Sequence, residues 1–249
     1  MDFKDKIALI TGATSGIGRG MAEALLQEGA KVIINYSKNE DMANETKSRF
    51  QKYANQILYI KADVSDEVQV ENMYREIKEK FQKIDYLINN AAYDVMASIE
   101  DFDIKEFRRE IDVNLVARFI MIQKGIPLLK KSETPRIINI ASRLATRPML
   151  DSSAYCVTEA ATVMLTKVCA LELSKYGIKV NTISPSLTLT PLAMQSYTKE
   201  EIEESAKKNP SHRVGTIEDT VNVMKFLLKK ESEYINGENI NVNGGILLL

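Results

Sequence analysis

Residues 6–20 read KIALITGATSGIGRG, an apolar run that leads directly into a turn containing three glycines. Gly12, Gly16 and Gly18, spaced G-x-x-x-G-x-G, allow a tight turn and a close approach of the backbone to a ligand. The amphipathic segment that follows, at about 16–28, predicts a helix whose first N–H groups point into the turn. A plain strand-to-helix turn needs one glycine, so three in this order predict a nucleotide phosphate site.

The rest of the chain alternates in the same way. Short runs rich in β-branched residues predict strands at residues 6–12, 31–36, 56–64, 83–90, 136–142, 178–184 and 238–245. Longer segments predict helices near 16–28, 40–54 and 66–81, a long helical stretch ending near 130, and helices near 153–175 and 217–229. Strands separated by helices need crossover connections. The sequence therefore predicts an α/β fold, a single doubly wound Rossmann-type domain with a mostly parallel seven-stranded sheet and helices on both faces.

The composition is that of an ordinary folded domain. Apolar residues make up 45% and charged residues 27% of the 249, which is enough for a full core. A formal net charge of −1 provides no general attraction for nucleic acid or an anionic membrane. Apolar runs are shorter than the roughly 18 residues of a membrane span, and no Pro/Gly/Ser-rich linker divides the chain. We expect one domain over residues 1–249, with neither nucleic acid nor a membrane as partner.

The cysteines and the histidine of the chain argue against a disulfide and against a metal site. Cys156 and Cys169 lie thirteen positions apart in one predicted helix, about 20 Å along its axis, so both are expected to be free thiols in a reducing cytoplasm. The N-terminal segment has no basic flank and no small-residue cleavage site, which agrees with a cytoplasmic location. With His212 as the single histidine and no cysteine cluster, we expect no metal site.

Three further motifs follow the glycine turn in order: NNAA at 89–92, a serine thirteen positions before Tyr155, and P-x-x-x-x-T at 185–190. With the turn, they resemble the short-chain dehydrogenase/reductase family over essentially the whole chain, including the closing NINVNGG. The most similar branch is that of the β-ketoacyl-carrier-protein reductases and glucose dehydrogenases. The resemblance implies NAD(P)-dependent hydride transfer between nicotinamide and a carbonyl or secondary alcohol, on a ketone or 3-oxoacyl-type small molecule. An enoyl reductase is disfavoured, because that group usually spaces its tyrosine and lysine farther apart.

The resemblance also implies roles for individual residues. Ser142 and Tyr155 would hold the substrate oxygen, Tyr155 would pass a proton, and Asn114 would hold a proton-relay water. Thr190 would bond the nicotinamide carboxamide, and Asp63, Val64, Asn90 and Ala91 would surround the adenosine. The implied cofactor contacts are Gly12, Ser15, Gly16, Ile17, Gly18, Lys38, Asp63, Val64, Asn90, Ala91, Ala92, Pro185 and Thr190. Taken singly, a strand-end aspartate, a buried tyrosine or a helix asparagine is more often structural.

The end of the second strand bears on the choice of cofactor. Relatives that use NAD usually end this strand with an acidic residue that accepts from the ribose 2′-OH. Here the strand ends Asn35-Tyr36-Ser37-Lys38, with no carboxylate before Glu40. An uncharged end followed by Lys38 suits a 2′-phosphate, so NADP is favoured over NAD. Lys38 can also be read as a solvated loop residue, and Ser15 replaces the basic residue that many NADP-dependent relatives carry in the glycine turn.

One position departs from the family pattern. The family motif is Y-x-x-x-K, whereas residues 155–159 read YCVTE and place Glu159 where the lysine belongs. The lysine lowers the tyrosine pKa and bonds the nicotinamide ribose, and a carboxylate one helical turn away should instead raise the Tyr155 pKa. Three compensations remain open: Glu159 accepts from the ribose hydroxyls, burial keeps Glu159 neutral, or Arg143 and Arg147 supply positive charge. The alternative function is an oligomeric dinucleotide-binding relative with weak or lost catalysis.

Two further expectations concern surfaces. The segment from about 186 to 214, with Leu187, Leu189, Leu192, Met194 and Tyr197, should cover a mainly hydrophobic substrate. The helices near 105–130 and 153–175 carry apolar residues beyond one core-facing stripe, among them Phe119, Ile122 and Val168. In the resembled family these two helices pair with their symmetry mates, which implies a homotetramer.

Overall fold

A seven-stranded sheet lies at the centre of the computed structural model, which describes residues 2–248 apart from the side chains of Leu192, Gln195 and Ser196. Its order is β3-β2-β1-β4-β5-β6-β7, and every neighbouring pair is parallel. The strands are β1 (Ile7–Ile10), β2 (Lys31–Tyr36), β3 (Ile57–Lys61), β4 (Tyr86–Asn89), β5 (Arg136–Ile140), β6 (Lys179–Pro185) and β7 (Asn239–Val242). The predicted fold class is confirmed, with a sheet that is wholly parallel.

Helices cover both faces of this sheet. They are α1 (Gly16–Gln27), α2 (Glu40–Arg49), α3 (Glu67–Phe81), α4 (Ile104–Ile111), α5 (Ala117–Leu129), α6 (Ser153–Leu173), α7 (Pro191–Ser196), α8 (Lys199–Lys208) and α9 (Ile217–Leu228). Because side chains alternate along a strand, Ile7 and Leu9 of β1 face a core shared with α3, α5 and α6. Ala8 and Ile10 face the other core, shared with α1 and α9. The strand order reverses between β1 and β4, where nucleotide sites form in open α/β sheets.

The long helical stretch predicted to end near 130 is interrupted. Residues 90–103 are largely non-helical, α4 begins at Ile104, and a π-helical turn over Asp112–Val116 separates α4 from α5. Asn114, in this turn, donates from Nδ2 to the Tyr93 carbonyl at 2.7 Å and accepts from the Tyr93 N–H at 2.8 Å. The asparagine therefore satisfies the backbone of the non-helical segment, a long-range bond that periodicity does not reveal.

The segment from 186 to 214, expected as a loop, contains two short helices. Thr190 caps α7 by accepting from the Ala193 N–H at 3.1 Å, with Pro191 at the first helical position. A reciprocal capping box between Thr198 and Glu201 starts α8. Local capping therefore orders this segment despite its lack of an apolar period.

The expectation about membrane-spanning length needs a correction at helix α6. The segment Ser153–Tyr176 is long and apolar enough, by length and composition alone, to cross a membrane, contrary to the expectation that no stretch reaches that length. In the structure α6 packs against β6, and Glu159 and Thr162 on it are fully buried. Its apolar character reflects its position as a core helix with a second, exposed apolar face.

Candidate active site

The glycine turn has the geometry that the sequence predicts for a phosphate site. Gly12 and Gly16 have φ of 61° and 52°, a region that L side chains rarely adopt. Ser15 is the N-cap of α1, but its side chain makes no capping hydrogen bond, and the first turn of α1 contains no acidic residue. The N–H groups and positive dipole end of α1 are thus suited to an anionic group. Ile17 packs against the core of α1.

The NNAA segment holds this turn in place. The Asn90 side chain donates to the carbonyls of Thr11 and Gly12 at 3.0 and 3.1 Å. The Thr11 hydroxyl in turn accepts from the N–H groups of Asn90 and Ala91 at 2.9 and 3.0 Å. A Cβ at Gly18 would lie 2.5 Å from the Asn90 amide nitrogen, so the third glycine is required by this packing. Ala92, which follows, is exposed.

The ends of β2 and β3 form the next part of the site. Lys38 is exposed just after β2, and the nearby Glu40 is paired with Lys61 at 2.5 Å. Asp63 is fixed by Ser65, whose hydroxyl and N–H donate to it at 2.6 and 3.0 Å. Burial acts to raise the pKa of Asp63, but these hydrogen bonds and the nearby Arg109 and Lys38 leave it below the usual value. The buried Val64 follows.

The far side of the site is built by the segment after β6. Pro185 ends this strand beside Val242 of β7. A Cβ on Gly16 would lie 3.5 Å from the Thr190 side chain, so the glycine turn and the start of α7 face each other although 174 positions separate them, 190 minus 16. The structure thus brings the predicted cofactor residues to one edge of the sheet, at the carboxyl ends of the strands.

Ser142 and Tyr155 lie beside the end of β5. Ser142 starts a single 3-10 turn, Arg143–Ala145, and its Oγ accepts from the Leu144 N–H at 3.2 Å, which leaves the hydroxyl proton for another acceptor. Helix α6 packs against this turn. Tyr155 is partly buried in the first turns of α6, and Thr158 joins that helix to Asn114, whose amide donates to the threonine hydroxyl at 3.3 Å. The three residues therefore belong to one packed unit.

Glu159 does not face solvent. Its side chain is fully buried, and Oε1 accepts from the Nη1 of Arg118 at 3.0 Å. Arg118, on α5, also donates from Nη1 to the Thr162 hydroxyl and from Nη2 to the Ile140 carbonyl at 2.9 Å. Glu159 Oε2 and Arg118 Nε are buried without a hydrogen-bond partner. The carboxylate at the family's lysine position is therefore half of an internal ion pair.

The charges around Tyr155 act in opposite directions. Burial, followed by the carboxylate of Glu159, raises the pKa of Tyr155 well above its usual range, and Arg118 lowers it. Asp94 and Glu110 add to the increase in the pKa. Burial also raises the pKa of Glu159 against the lowering effect of Arg118, and raises the pKa of Glu110 to about 7. The phenol of Tyr155 is accordingly protonated at neutral pH.

Arg118 was not among the residues predicted from the sequence. Arg143 and Arg147 were expected as sources of positive charge, but Arg143 Nη2 lies 3.8 Å from the Met149 sulfur and Arg147 donates to the Ile246 carbonyl at 3.2 Å. A signal was present, because Arg118 stands four positions after Asn114, just as Glu159 stands four after Tyr155. Two polar residues one turn apart on each of two facing helices indicate a shared buried network.

Known proteins are similar to this chain over nearly its whole length. The family model described as enoyl-(acyl carrier protein) reductase matches residues 12–247. An NAD-dependent glycerol dehydrogenase of Listeria innocua is 32% identical over 246 residues, which cover 98% of this chain and 94% of that protein. A 3-oxoacyl-(acyl-carrier-protein) reductase of Staphylococcus epidermidis is 31% identical over 246 residues, covering 98% of this chain and 100% of that protein.

Similarity to solved structures extends to the fold. The structure of a gluconate 5-dehydrogenase from Burkholderia cenocepacia, in complex with NADP and tartrate, matches with a TM-score of 0.91 and 27% identity. The match covers 99% of this chain and 97% of that one. The glycine turn, the sheet and the helices that carry Asn114 and Tyr155 all lie within the shared part.

Proposed function

Because this chain belongs to the short-chain dehydrogenase/reductase family, we propose that it is an NAD(P)-dependent oxidoreductase that acts on a carbonyl or secondary alcohol, and that it favours carbonyl reduction. The observation that carries the proposal is the junction of β5 and α6, where Ser142 and Tyr155 lie in one packed unit beside Asn114. Bound nicotinamide cofactor would supply the hydride. Tyr155 would supply the proton, since a phenol that is protonated at neutral pH suits the role of acid.

The roles of the chain's own residues follow from their contacts. In reduction, the Ser142 hydroxyl donates a hydrogen bond to the substrate carbonyl oxygen, and Tyr155 donates the proton that this oxygen takes up. Asn114 serves chiefly to fix the segment at Tyr93 and the α6 residue Thr158. The raised pKa of Tyr155 favours the direction in which the phenol starts protonated, so alcohol oxidation, which needs the phenolate, is the slower direction at neutral pH.

The cofactor would be held by the glycine turn and the strand ends. The N-terminus of α1, with Gly12, Ser15, Gly16, Ile17 and Gly18, suits the pyrophosphate. Asp63, Val64, Asn90, Ala91 and Ala92 would line the adenosine side, and Pro185 and Thr190 the nicotinamide side. Glu159 has no exposed surface with which to contact the nicotinamide ribose, so we assign it to the pair with Arg118.

We propose that NADP(H) is preferred over NAD(H). Lys38 is exposed after β2, and the nearby carboxylate of Glu40 is engaged by Lys61 and Tyr36. Replacing Lys38 with alanine should weaken NADPH binding by roughly tenfold, since one charge-assisted contact to the 2′-phosphate is lost, and leave NADH binding unchanged. Fluorescence titration measures both affinities, and Lys52→Ala, which removes an exposed lysine elsewhere, is the control. Tighter binding of NADH than of NADPH to the unmodified protein would overturn the preference.

The substrate proposed is a mainly hydrophobic ketone or 3-oxoacyl-type molecule. Met194 and Met96 expose much of their side chains, and Tyr197 lies close enough to Arg143 to affect the pKa of that guanidinium. A steady-state assay of NADPH oxidation with ketones, 3-oxoacyl thioesters and keto sugars tests the function. Turnover of at least one class supports it.

The second candidate is a dinucleotide-binding relative with weak or lost catalysis. The observation in its favour is Glu159, whose carboxylate raises the pKa of Tyr155 where the family's lysine would lower it. Tight nucleotide binding without turnover of any compound in the panel would select this candidate.

We also propose a cytoplasmic homotetramer. Phe119 on α5 and Met164, Val168 and Leu171 on α6 are at least 43% exposed, an apolar surface typical of a subunit contact. Ile122, expected on this surface, is instead in the core at 3% exposure. Light scattering at micromolar concentration should give about four times the 28.0 kDa chain mass, and Val168→Glu should lower it. A monomer mass for the unmodified protein would contradict the assembly.

A further inference from the structure

The side chain of Arg118 joins three elements at the reacting end of the site. It extends from α5, pairs with Glu159 and Thr162 on α6, and donates to the carbonyl of Ile140 at the end of β5. Ile140 is two residues before Ser142, and Glu159 is one helical turn after Tyr155. The guanidinium therefore links the strand end that carries the serine to the helix that carries the tyrosine.

This contact is costly to maintain. The two side chains are 3% and 0% exposed, and each retains one buried polar atom without a partner. Removing two charges from water carries a large desolvation cost that their mutual attraction offsets only in part, and apolar replacements of such pairs are often neutral or stabilising. Stability alone therefore gives a weak reason for the pair, whereas a position beside the proton donor gives a specific one.

Several acidic groups raise the pKa of Tyr155 in addition to burial: Glu159 on its own helix, Asp94 in the segment after β4, and Glu110 on α4. Arg118, on α5, is the cation that opposes them. In the family pattern a cation at position 159 performs this task from α6.

We propose that Arg118 performs, from the neighbouring helix, the electrostatic role that the lysine of the Y-x-x-x-K motif performs toward the tyrosine, and that Glu159 is the anchor that holds the guanidinium beside Tyr155. The cation is thus on α5 in this protein, and a carboxylate occupies the position on α6 where the family motif has its lysine. The inference rests on the proposed function, because it concerns the proton donor of the same site.

The test compares two proteins that both lack the carboxylate and differ in the cation. Glu159→Gln keeps an acceptor for Arg118 and keeps the positive charge, whereas Arg118→Met/Glu159→Gln has neither charge. If Arg118 acts on Tyr155, the tyrosine should titrate at least about one pH unit lower in the single variant than in the double variant. NMR of protein labelled with ¹³C at the tyrosine Cζ, with the Tyr155 signal identified by its absence from Tyr155→Phe, follows the titration without any need for turnover.

Catalysis provides a second readout. Alcohol oxidation needs the phenolate form of Tyr155. At a fixed pH below the Tyr155 pKa, the oxidation rate should therefore be about tenfold higher in Glu159→Gln than in Arg118→Met/Glu159→Gln for each unit by which their Tyr155 pKa values differ. Arg118→Lys/Glu159→Gln keeps a positive charge but not the planar guanidinium. Its Tyr155 pKa should lie closer to that of Glu159→Gln than to that of Arg118→Met/Glu159→Gln. Lys124→Met removes a cation of α5 that is paired with Glu67 and Glu71, away from the site, and should leave the Tyr155 titration unchanged.

The outcomes separate the two proposals. Equal Tyr155 titration in the single and double variants would make Arg118 a counterion of Glu159 and nothing more, and would overturn the inference. Shifted titration without turnover of any substrate would sustain the inference and count against the proposed function. If Glu159→Gln does not fold, Glu159→Ser leaves room for water beside Arg118 and is compared with Arg118→Met/Glu159→Ser, with the same results expected.

Discussion

Replacing Tyr155 with phenylalanine should lower the rate of carbonyl reduction by roughly 100- to 10,000-fold, the usual contribution of a positioned general acid. Tyr155 is partly buried in the first turns of α6, which packs against the turn that follows Ser142. Burial, together with Glu159, keeps its phenol protonated at neutral pH. The substitution removes one oxygen atom, so the packing of α6 and the affinity for the dinucleotide should be nearly unchanged. Initial rates of NADPH oxidation and fluorescence titration of the nucleotide measure the two effects.

A matched control is available in Tyr176, a partly exposed tyrosine just beyond α6. Tyr176→Phe should leave both the rate and the affinity at their original values. Unchanged turnover in Tyr155→Phe would show that another group donates the proton. Equal loss of nucleotide binding and turnover would place Tyr155 in the binding of the cofactor instead.

Restoring the family's lysine at position 159 should damage the protein. Glu159→Lys removes the counter-charge of Arg118, which is 3% exposed, and adds a second cation beside it. Removing one partner of a buried pair typically costs about 3–5 kcal/mol, which corresponds to a fall of roughly 10 °C in the melting temperature of a chain of this size. Thermal unfolding followed by circular dichroism measures this change.

The compensating variant is Arg118→Met/Glu159→Lys, which carries one cation in the family's own position. It should recover most of the lost stability and reduce ketones at least as fast as the unmodified protein. Ala160→Lys, which introduces a lysine at the exposed neighbouring position of α6, should change the unfolding free energy by less than about 0.5 kcal/mol. A Glu159→Lys protein as stable as the original would show that the ion pair contributes nothing to folding, and the compensation argument would fail.

The glycine turn and the type of sheet could be predicted from the sequence by itself, because both depend on residues that are close together in the chain. The glycine turn is specified by backbone freedom at Gly12 and Gly16, which act on their immediate surroundings, and the structure confirms a positive φ at both. The strands could be predicted from their β-branched runs, and the helices between them indicated a parallel sheet. The sheet order then brings the ends of β1, β2 and β4 to one edge. The resemblance to the family likewise implied roles for Ser142, Tyr155 and Asn114, which stay predictions.

The partner of Glu159 was decided by tertiary structure alone. The sequence showed that the lysine was missing and left ribose contact, a neutral glutamate and a nearby arginine open as compensations, but Arg118 is 41 positions away on another helix. Which two side chains meet across a helix pair depends on the rotation of each helix about its axis, and here a π-helical turn, Asp112–Val116, directly precedes α5. Asn114, within this turn, bonds the backbone at Tyr93, a contact between segments that are 21 positions apart in the chain. Sequence patterns indicate which residues are buried, whereas the packing of the helices determines which charged side chain each buried residue contacts.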